Sequence, residues 1–421
     1  MHERIVGQSP WRVDGIAKVT GKAVFPQDIY LPGMVYGKTV RSKYPHAKIT
    51  KLDTSKAEAL PGVLKVFTAR DVPGHNGHGV LHPDIPVFAD GKVTSINDAI
   101  CLVVAETQDI AEEAALLIDV EYEELPAVFD PREAMKETAP KLRENGNIAY
   151  HLKIRKGDVE KGFALADVIV EQSFKTSMVD QAFLQPEAGV ATVDERGHIV
   201  IYVATQYPHW DRTEIARALG VSQNMVRVVT TAVGGAFGGR EDMTVQIHAC
   251  LAAMVLKRPV KIVYDRSESF KAHSKRHPMY MDYRVGATRD GKLVALEATI
   301  IGDAGAYLSW SPNILRKAAV HATGPYYIPN VKVDSYAVHT NNPFTGAMRG
   351  FGAAQPPMAY EAIMDMLAEK LNLHPFTIRW RNAFERGSET ATGQILDMSV
   401  GLKETMLEAA RRFGWNVEEL K

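Results

Sequence analysis

The chain has 421 residues, with 49 Lys+Arg against 50 Asp+Glu and a formal net charge of −1. That length exceeds one ordinary core and predicts roughly two to four domains, and the balanced charge leaves no general footprint for nucleic acid. Its 2 cysteines, Cys101 and Cys250, exclude a disulfide framework and a cysteine-held iron–sulfur cluster within the chain. Neither an apolar signal segment nor a transmembrane run is found, so the expected setting is cytoplasmic with no membrane partner.

Residues 1–20 read as a polar arm containing Pro10, Trp11 and Gly15. Short strands are predicted at 34–40, 49–52 and 63–67, with turn pairs Pro32-Gly33 and Pro61-Gly62 between them. The stretch 71–90, rich in Gly, Pro and His, reads as a long loop. A strand at 100–105 leads through the cap Thr107 into a helix whose Ile110, Ala114, Leu117 and Ile118 share a face. A return to strand at 120–122 completes a small α/β unit over 21–130. Residues 131–157, with Pro140, Asn145, Gly146 and Asn147, read as a linker.

The remaining region, 158–421, is expected to hold two subdomains. Strands are predicted at 166–174, 188–193 and 199–205, followed by a short helix with Asp211 and Glu214 as capping box and Gly220 as its stop. A strand at 226–231 precedes the glycine loop 233–241, and a helix at 243–256 follows it. Next come a strand at 260–264 and a hairpin of 279–288 with 293–300, turning at Arg289-Asp290-Gly291-Lys292. A strand at 331–339, a second glycine loop at 349–353 and helices at 357–371 and 401–413 complete an α+β chain.

Two stretches carry the chemistry. Val233-Gly234-Gly235-Ala236-Phe237-Gly238-Gly239-Arg240-Glu241 places four glycines between a strand and a helix. Glycine permits positive φ and close approach of backbone to a ligand, and consecutive N–H groups at a helix start attract anions. The spacing is neither the dinucleotide fingerprint nor the phosphate loop, so a ligand-free turn stays open on spacing alone. Arg349-Gly350-Phe351-Gly352-Ala353 repeats the layout, and such loops gather on one side of an α/β fold. Gln206 ends a strand as a rigidly held amide, with a plain surface glutamine as the alternative. No histidine spacing fits a metal: His273 and His277 lack a glutamate after the first, and His209, His248, His321 and His339 stand alone. Any metal would therefore have to arrive already held by an organic ligand.

These residues resemble the xanthine dehydrogenase and aldehyde oxidoreductase family of molybdenum hydroxylases. The segments that carry the likeness are Gly234 to Glu241, Thr205-Gln206-Tyr207-Pro208-His209, Ser274-Lys275-Arg276-His277-Pro278, Gly302-Asp303-Ala304-Gly305-Ala306-Tyr307 and Thr340 to Gly352. The resemblance implies an α/β hammerhead domain at 21–130 and a first molybdopterin-binding region of mixed α/β structure at 158–421. It implies molybdenum held by the dithiolene of molybdopterin, expected in its cytosine dinucleotide form, and not by side chains. Gln206 then resembles the residue that hydrogen-bonds an oxo ligand of the metal. Gly235, Ala236, Phe237, Gly238, Gly239, Arg240, Arg349 and Gly350 would line the cofactor, and Glu241 would orient a heterocycle. Phe351 and Met348 would shape the substrate pocket, Met348 standing where a phenylalanine is common. Lys317 falls where purine-oxidising members carry an arginine, with Arg316 beside it; the register leaves either facing substrate.

The resemblance also implies a catalytic glutamate in a glycine-rich segment far downstream, and these 421 residues end at Lys421 before any such segment. The chain therefore resembles the larger half of divided members, nicotinate dehydrogenase among them. Expected partners are a second molybdopterin-binding subunit bearing that glutamate, a [2Fe–2S] subunit and an FAD subunit, assembled as a dimer of heteromers. The implied reaction is hydroxylation of an electron-poor carbon of a small N-heteroaromatic molecule, a purine or a pyridine carboxylate, with oxygen from water. The alternatives are an aldehyde oxidoreductase subunit and a non-catalytic scaffold.

Overall fold

A computed structural model describes residues 6–96 and 98–420; the first five residues of the expected arm lie outside the described residues. In chain order its strands are β1 (Val35–Arg41), β2 (Ala47–Asp53), β3 (Val63–Phe67), β4 (Lys92–Val93), β5 (Ala99–Ala105), β6 (Asp119–Glu124), β7 (Ile148–Lys156) and β8 (Val168–Lys175). They continue as β9 (Ala188–Val193), β10 (Ile199–Val203), β11 (Val226–Thr230), β12 (Val260–Val263), β13 (Met279–Ala287), β14 (Leu293–Gly305) and β15 (Asn330–His339). Three sheets result, with strand orders β11-β10-β9-β12-β1-β5-β3, β7-β15-β14-β13-β8 and β4-β2-β6.

The first sheet explains its own sequence. β5 is a continuous apolar run, Ala-Ile-Cys-Leu-Val-Val-Ala, and all of it is buried. It lies between β1 and β3, so Leu102 and Val104 face the main core while Cys101 and Val103 face a smaller core beneath the helix Gln108–Leu116. A strand covered on both faces has no polar side to show. Thr107 caps that helix, its side chain accepting from Ile110 N–H. β1 pairs in parallel with β12 through Val35 and Val260, so one sheet crosses from the early region into the late one.

The stretch 131–157, expected as a linker, carries regular structure. The stretch contains the helical turn Pro131–Ala134 and strand β7, which pairs antiparallel with β15 over Lys156↔Val331 to Ile148↔Val338. β7 is an edge strand whose outward residues are charged or polar, which hid its alternation. The helix expected to open at Asp211 begins earlier, at Pro208, whose fixed φ suits a first helical position. Asp211 and Glu214 are therefore internal and buried instead of forming a capping box. Gly220 ends the helix in the left-handed region, φ 64°. Helices Ser311–Val320 and Pro375–Asn382 were not anticipated. The former packs on the five-stranded sheet with the helix Pro356–Leu371, around Met281, Leu296, Ile300 and Val331.

Candidate active site

β10 and β11 are parallel neighbours, so the connections leaving their C-terminal ends emerge side by side. One carries Gln206 into the helix Pro208–Leu219; the other is the first glycine loop, leading to the helix Gln246–Leu256. The second glycine loop approaches from the five-stranded sheet, between β15 and the helix Pro356–Leu371. The three segments border an open cleft of about 330 Å³, lined by Gln206, Phe237, Gly238, Glu241, Ala347, Met348, Arg349 and Phe351.

Backbone geometry joins the loops. Arg349 N–H donates to Phe237 C=O at 2.9 Å. Gly238 has φ 101°, and a Cβ there would lie 2.5 Å from the Ala347 carbonyl oxygen. Only glycine fits such an approach. Phe237 and Phe351 themselves adopt positive φ, 53° and 48°. Bulky residues in that region carry strain of about 1–3 kcal/mol each and persist only where their surroundings fix them. Here each precedes a glycine of positive φ, Gly238 or Gly352, and each presents its ring to the same cleft.

The Gln206 amide is oriented by the loop. Its Oε1 accepts from Gly238 N–H at 3.0 Å and from Arg240 N–H at 3.4 Å, while Gln206 N–H donates to Arg240 C=O at 3.1 Å. Two backbone donors on one side assign oxygen there and turn Nε2 toward the cleft. Nε2 makes only a long contact, 3.4 Å, to Glu241 Oε1, and remains an available donor.

Glu241 is half-buried, and burial raises its carboxyl to about 7, with a further push from Asp242 next to it. The Tyr207 hydroxyl and Trp310 indole oppose the rise. Neither makes a regular hydrogen bond: Glu241 Oε2 and Trp310 Nε1 are both buried without one. The Trp310 ring bridges Tyr207 and Phe351 with edge-on contacts of 6.2 and 5.7 Å. Asp242 is fully buried and is itself raised to about 6 by desolvation, with Ser309 Oγ donating to both its oxygens at 2.8 and 2.9 Å.

Other expected site residues are placed differently. Arg240 turns away from the cleft and staples the loop: Nε donates to Gly235 C=O at 2.9 Å, Nη2 donates to Gln185 C=O, and the guanidinium lies 4.3 Å over the Phe183 ring. Desolvation lowers this guanidinium to about 10. Gly235, Ala236 and Gly239 shape the loop from behind; a Cβ on Gly239 would meet Phe183 Cε1 at 2.8 Å. Gly350 is exposed beside the cleft with φ 99°. Arg316 and Lys317 are exposed on the helix Ser311–Val320, and neither lines the cleft. Arg316 lines a separate surface groove with β7 and Glu389 to Gly393. The sequence did not single out Trp310 or Tyr207 for this cleft; Tyr207 is adjacent to Gln206, whereas Trp310 enters only through folding.

Chemically, the cleft combines an outward amide donor, a carboxyl poised near neutrality and glycine backbone without side chains. The Arg349 guanidinium adds a cation that has no ion pair or hydrogen bond among the described residues. Among the described residues no group of three or more His, Cys, Asp or Glu could hold a metal ion. Such a donor set fits an anionic group that carries its own metal.

Residues 141–383 match the family model of the molybdopterin cofactor-binding domain, and 20–126 match that of the aldehyde oxidase and xanthine dehydrogenase a/b hammerhead domain. The chain belongs to the aldehyde oxidase and xanthine dehydrogenase family. It is 42% identical over 408 residues to the nicotinate dehydrogenase large molybdopterin subunit of Eubacterium barkeri, covering 97% of this chain and 96% of that one. It is 40% identical over 371 residues to a probable xanthine dehydrogenase subunit of Bacillus subtilis, covering 88% of this chain and 50% of the relative. The aldehyde oxidoreductase of Desulfovibrio gigas superposes with a TM-score of 0.91 at 32% identity, over 96% of this chain and 46% of the other. This chain thus spans nearly all of one relative of the family and about half of the other two. Among the described residues no helix is long and apolar enough to cross a membrane.

Proposed function

We propose that this chain is the larger molybdopterin-binding polypeptide of a cytoplasmic, multi-subunit molybdenum hydroxylase. Its substrate would be an N-heteroaromatic molecule, a purine or a pyridine carboxylate, hydroxylated at an electron-poor carbon. The observation that carries this reading is Glu241: a carboxyl that burial pushes up to about 7, in the same cleft as the outward amide of Gln206. A neutral carboxyl both donates to and accepts from the polar edge of a nitrogen ring. An ionised one would repel an electron-rich edge and favour cations.

When bound, the molybdenum–molybdopterin group supplies the two-electron oxidation that introduces oxygen from water. Gln206 Nε2 would donate to its metal-bound side, the backbone of Phe237 and Gly238 would allow close approach, and Arg349 would balance its negative charge. Glu241 would orient the ring, with Phe351 and Trp310 excluding water around it. Met348, a flexible thioether on the same wall, would set the pocket's shape. The partners implied are a second molybdopterin-binding subunit contributing the proton-abstracting glutamate, with iron–sulfur and FAD subunits to carry electrons away. The likeness to an aldehyde oxidoreductase, with no lysine or second arginine beside Arg349 in the cleft, supports an aldehyde substrate as the second reading.

The test is to purify the assembled complex, measure its molybdenum, and compare turnover of xanthine, nicotinate and an aromatic aldehyde. Glu241→Ala is expected to cut heteroaromatic turnover by about 100-fold while leaving molybdenum content intact. Equal loss of metal and activity would remove the substrate role. The isolated polypeptide is expected to show no turnover, and activity from it alone would refute the divided-site reading.

A further inference from the structure

Besides the bond between Arg349 and Phe237, the two glycine loops meet at the carbonyl oxygen of Ala347. Gly238 abuts it from the first loop, and from behind it accepts a hydrogen bond of 2.8 Å from Gln181 Nε2. Ala347 is 1% exposed and Gln181 6%, so this bond is out of reach of solvent. Immediately after Ala347 come Met348 and Arg349, which line the cleft.

Gln181 is in turn held by a buried group of four charges. Its Oε1 lies 3.2 Å from His273 Nε2, which is also 3.1 Å from Asp180 Oδ2. His273 Nδ1 lies 2.8 Å from Glu187 Oε1. Lys275 Nζ is 3.0 Å from Asp180 Oδ2 and donates to His273 C=O at 2.7 Å. Two cations and two carboxylates balance. Burial works against the charge on His273, yet the close approach of both carboxylates raises its pKa above that of free histidine. A doubly protonated ring is a donor at both nitrogens, so it requires the oxygen of Gln181 to face it. That leaves the amide nitrogen, and only the nitrogen, for the Ala347 carbonyl. A flipped amide would set donor against donor and oxygen against oxygen.

A buried ionic cluster of this kind is costly to desolvate and is a poor source of stability compared with apolar packing. What it does here is fix one amide in one orientation. The same segment also braces the first loop, since Gln185 Oε1 accepts from Gly234 N–H at 2.8 Å and the Phe183 ring lies under Arg240. Lys275 C=O accepts from Gly346 N–H at 2.9 Å, which anchors the second loop one residue before Ala347.

Resting on the reading of this cleft as a cofactor wall, we propose that Gln181 is a positioning residue. It sets the height of the Met348-Arg349 backbone at the cleft, and the cluster of His273, Asp180, Glu187 and Lys275 sets its amide. None of the five lines the cleft.

The test uses the assembled complex with Gln181→Leu and, as an isosteric second variant, Gln181→Glu. The first removes both hydrogen bonds; the second sets a carboxylate oxygen against the Ala347 carbonyl. Amide hydrogen exchange is followed by mass spectrometry on molybdenum-free and molybdenum-loaded preparations. Peptides covering 345–353 are expected to exchange about tenfold faster in both variants, with those covering β10 unchanged. Molybdenum content is expected to hold, with kcat about tenfold lower and KM changed less than about twofold. Unchanged exchange at 345–353 would overturn the assignment. So would acceleration extending through β10, which would make Gln181 a general stabiliser. A wild-type complex lacking molybdenum and turnover would instead remove the proposed function, while the exchange comparison would still decide the role of Gln181.

Discussion

Replacing Glu241 by glutamine should stabilise the protein, and the stabilisation should depend on pH. Glu241 is raised from 4.5 to about 7, mainly by burial, with Asp242 adding to it. The sign follows from linkage. Below about pH 4.5 the carboxyl is protonated whether the chain is folded or unfolded, and it contributes no penalty. Between about 4.5 and 7 the unfolded chain ionises while the folded one resists, so folding loses stability as pH rises through that window. Above 7 the full penalty stands. A shift of that size corresponds to about 3–4 kcal/mol at most. Solvent reaching the carboxyl through the open cleft reduces it to about 1–2 kcal/mol. Glutamine keeps the shape and cannot ionise. Calorimetry should therefore show Glu241→Gln melting about 1–2 °C higher than the parent at pH 8.5, with no difference near pH 4.5. A gain of equal size at both pH values, or a loss at pH 8.5, would refute the assignment of a desolvated carboxyl at this position.

Gly238→Ala adds a Cβ 2.5 Å from the Ala347 oxygen at a φ of 101°, so the loops must part; molybdenum bound per complex should fall about tenfold. Gly401→Ala, with nothing within 4 Å, is the neutral control, and equal molybdenum in both variants would contradict the close approach. Lys317→Ala should change KM for a heteroaromatic substrate by less than about twofold, because Lys317 does not line the cleft; a collapse of turnover would bring it back into the pocket. Burial raises the thiol of Cys101 to about 12 and that of Cys250 further still, and both are fully buried. Neither should react with a thiol reagent until the protein is denatured, and rapid labelling of the native protein would show an open core.

Much of this cleft is written locally in the chain. A glycine that must adopt positive φ announces itself wherever it stands, and Gly238 and Gly352 lie in runs that no ordinary strand or helix tolerates. Gln206 was legible as an amide at the end of a strand, and β10 and β11 were legible as β-branched runs. β5 and the Thr107 cap followed from composition and spacing alone. β7 did not, because an edge strand carrying His151, Lys153 and Arg155 outward looks like a charged connection until β15 is there to pair with it. What only the tertiary structure decided is which groups face the cleft. Arg240 and Glu241 are adjacent in the chain, yet one is turned into the body by Phe183, Gly235 and Gln185 and the other toward Gln206. Trp310, Gln181 and Ala347 come to the site from three separate stretches. Their contacts depend on the docking of two sheets, an arrangement set by long-range burial that carries no local period in the sequence.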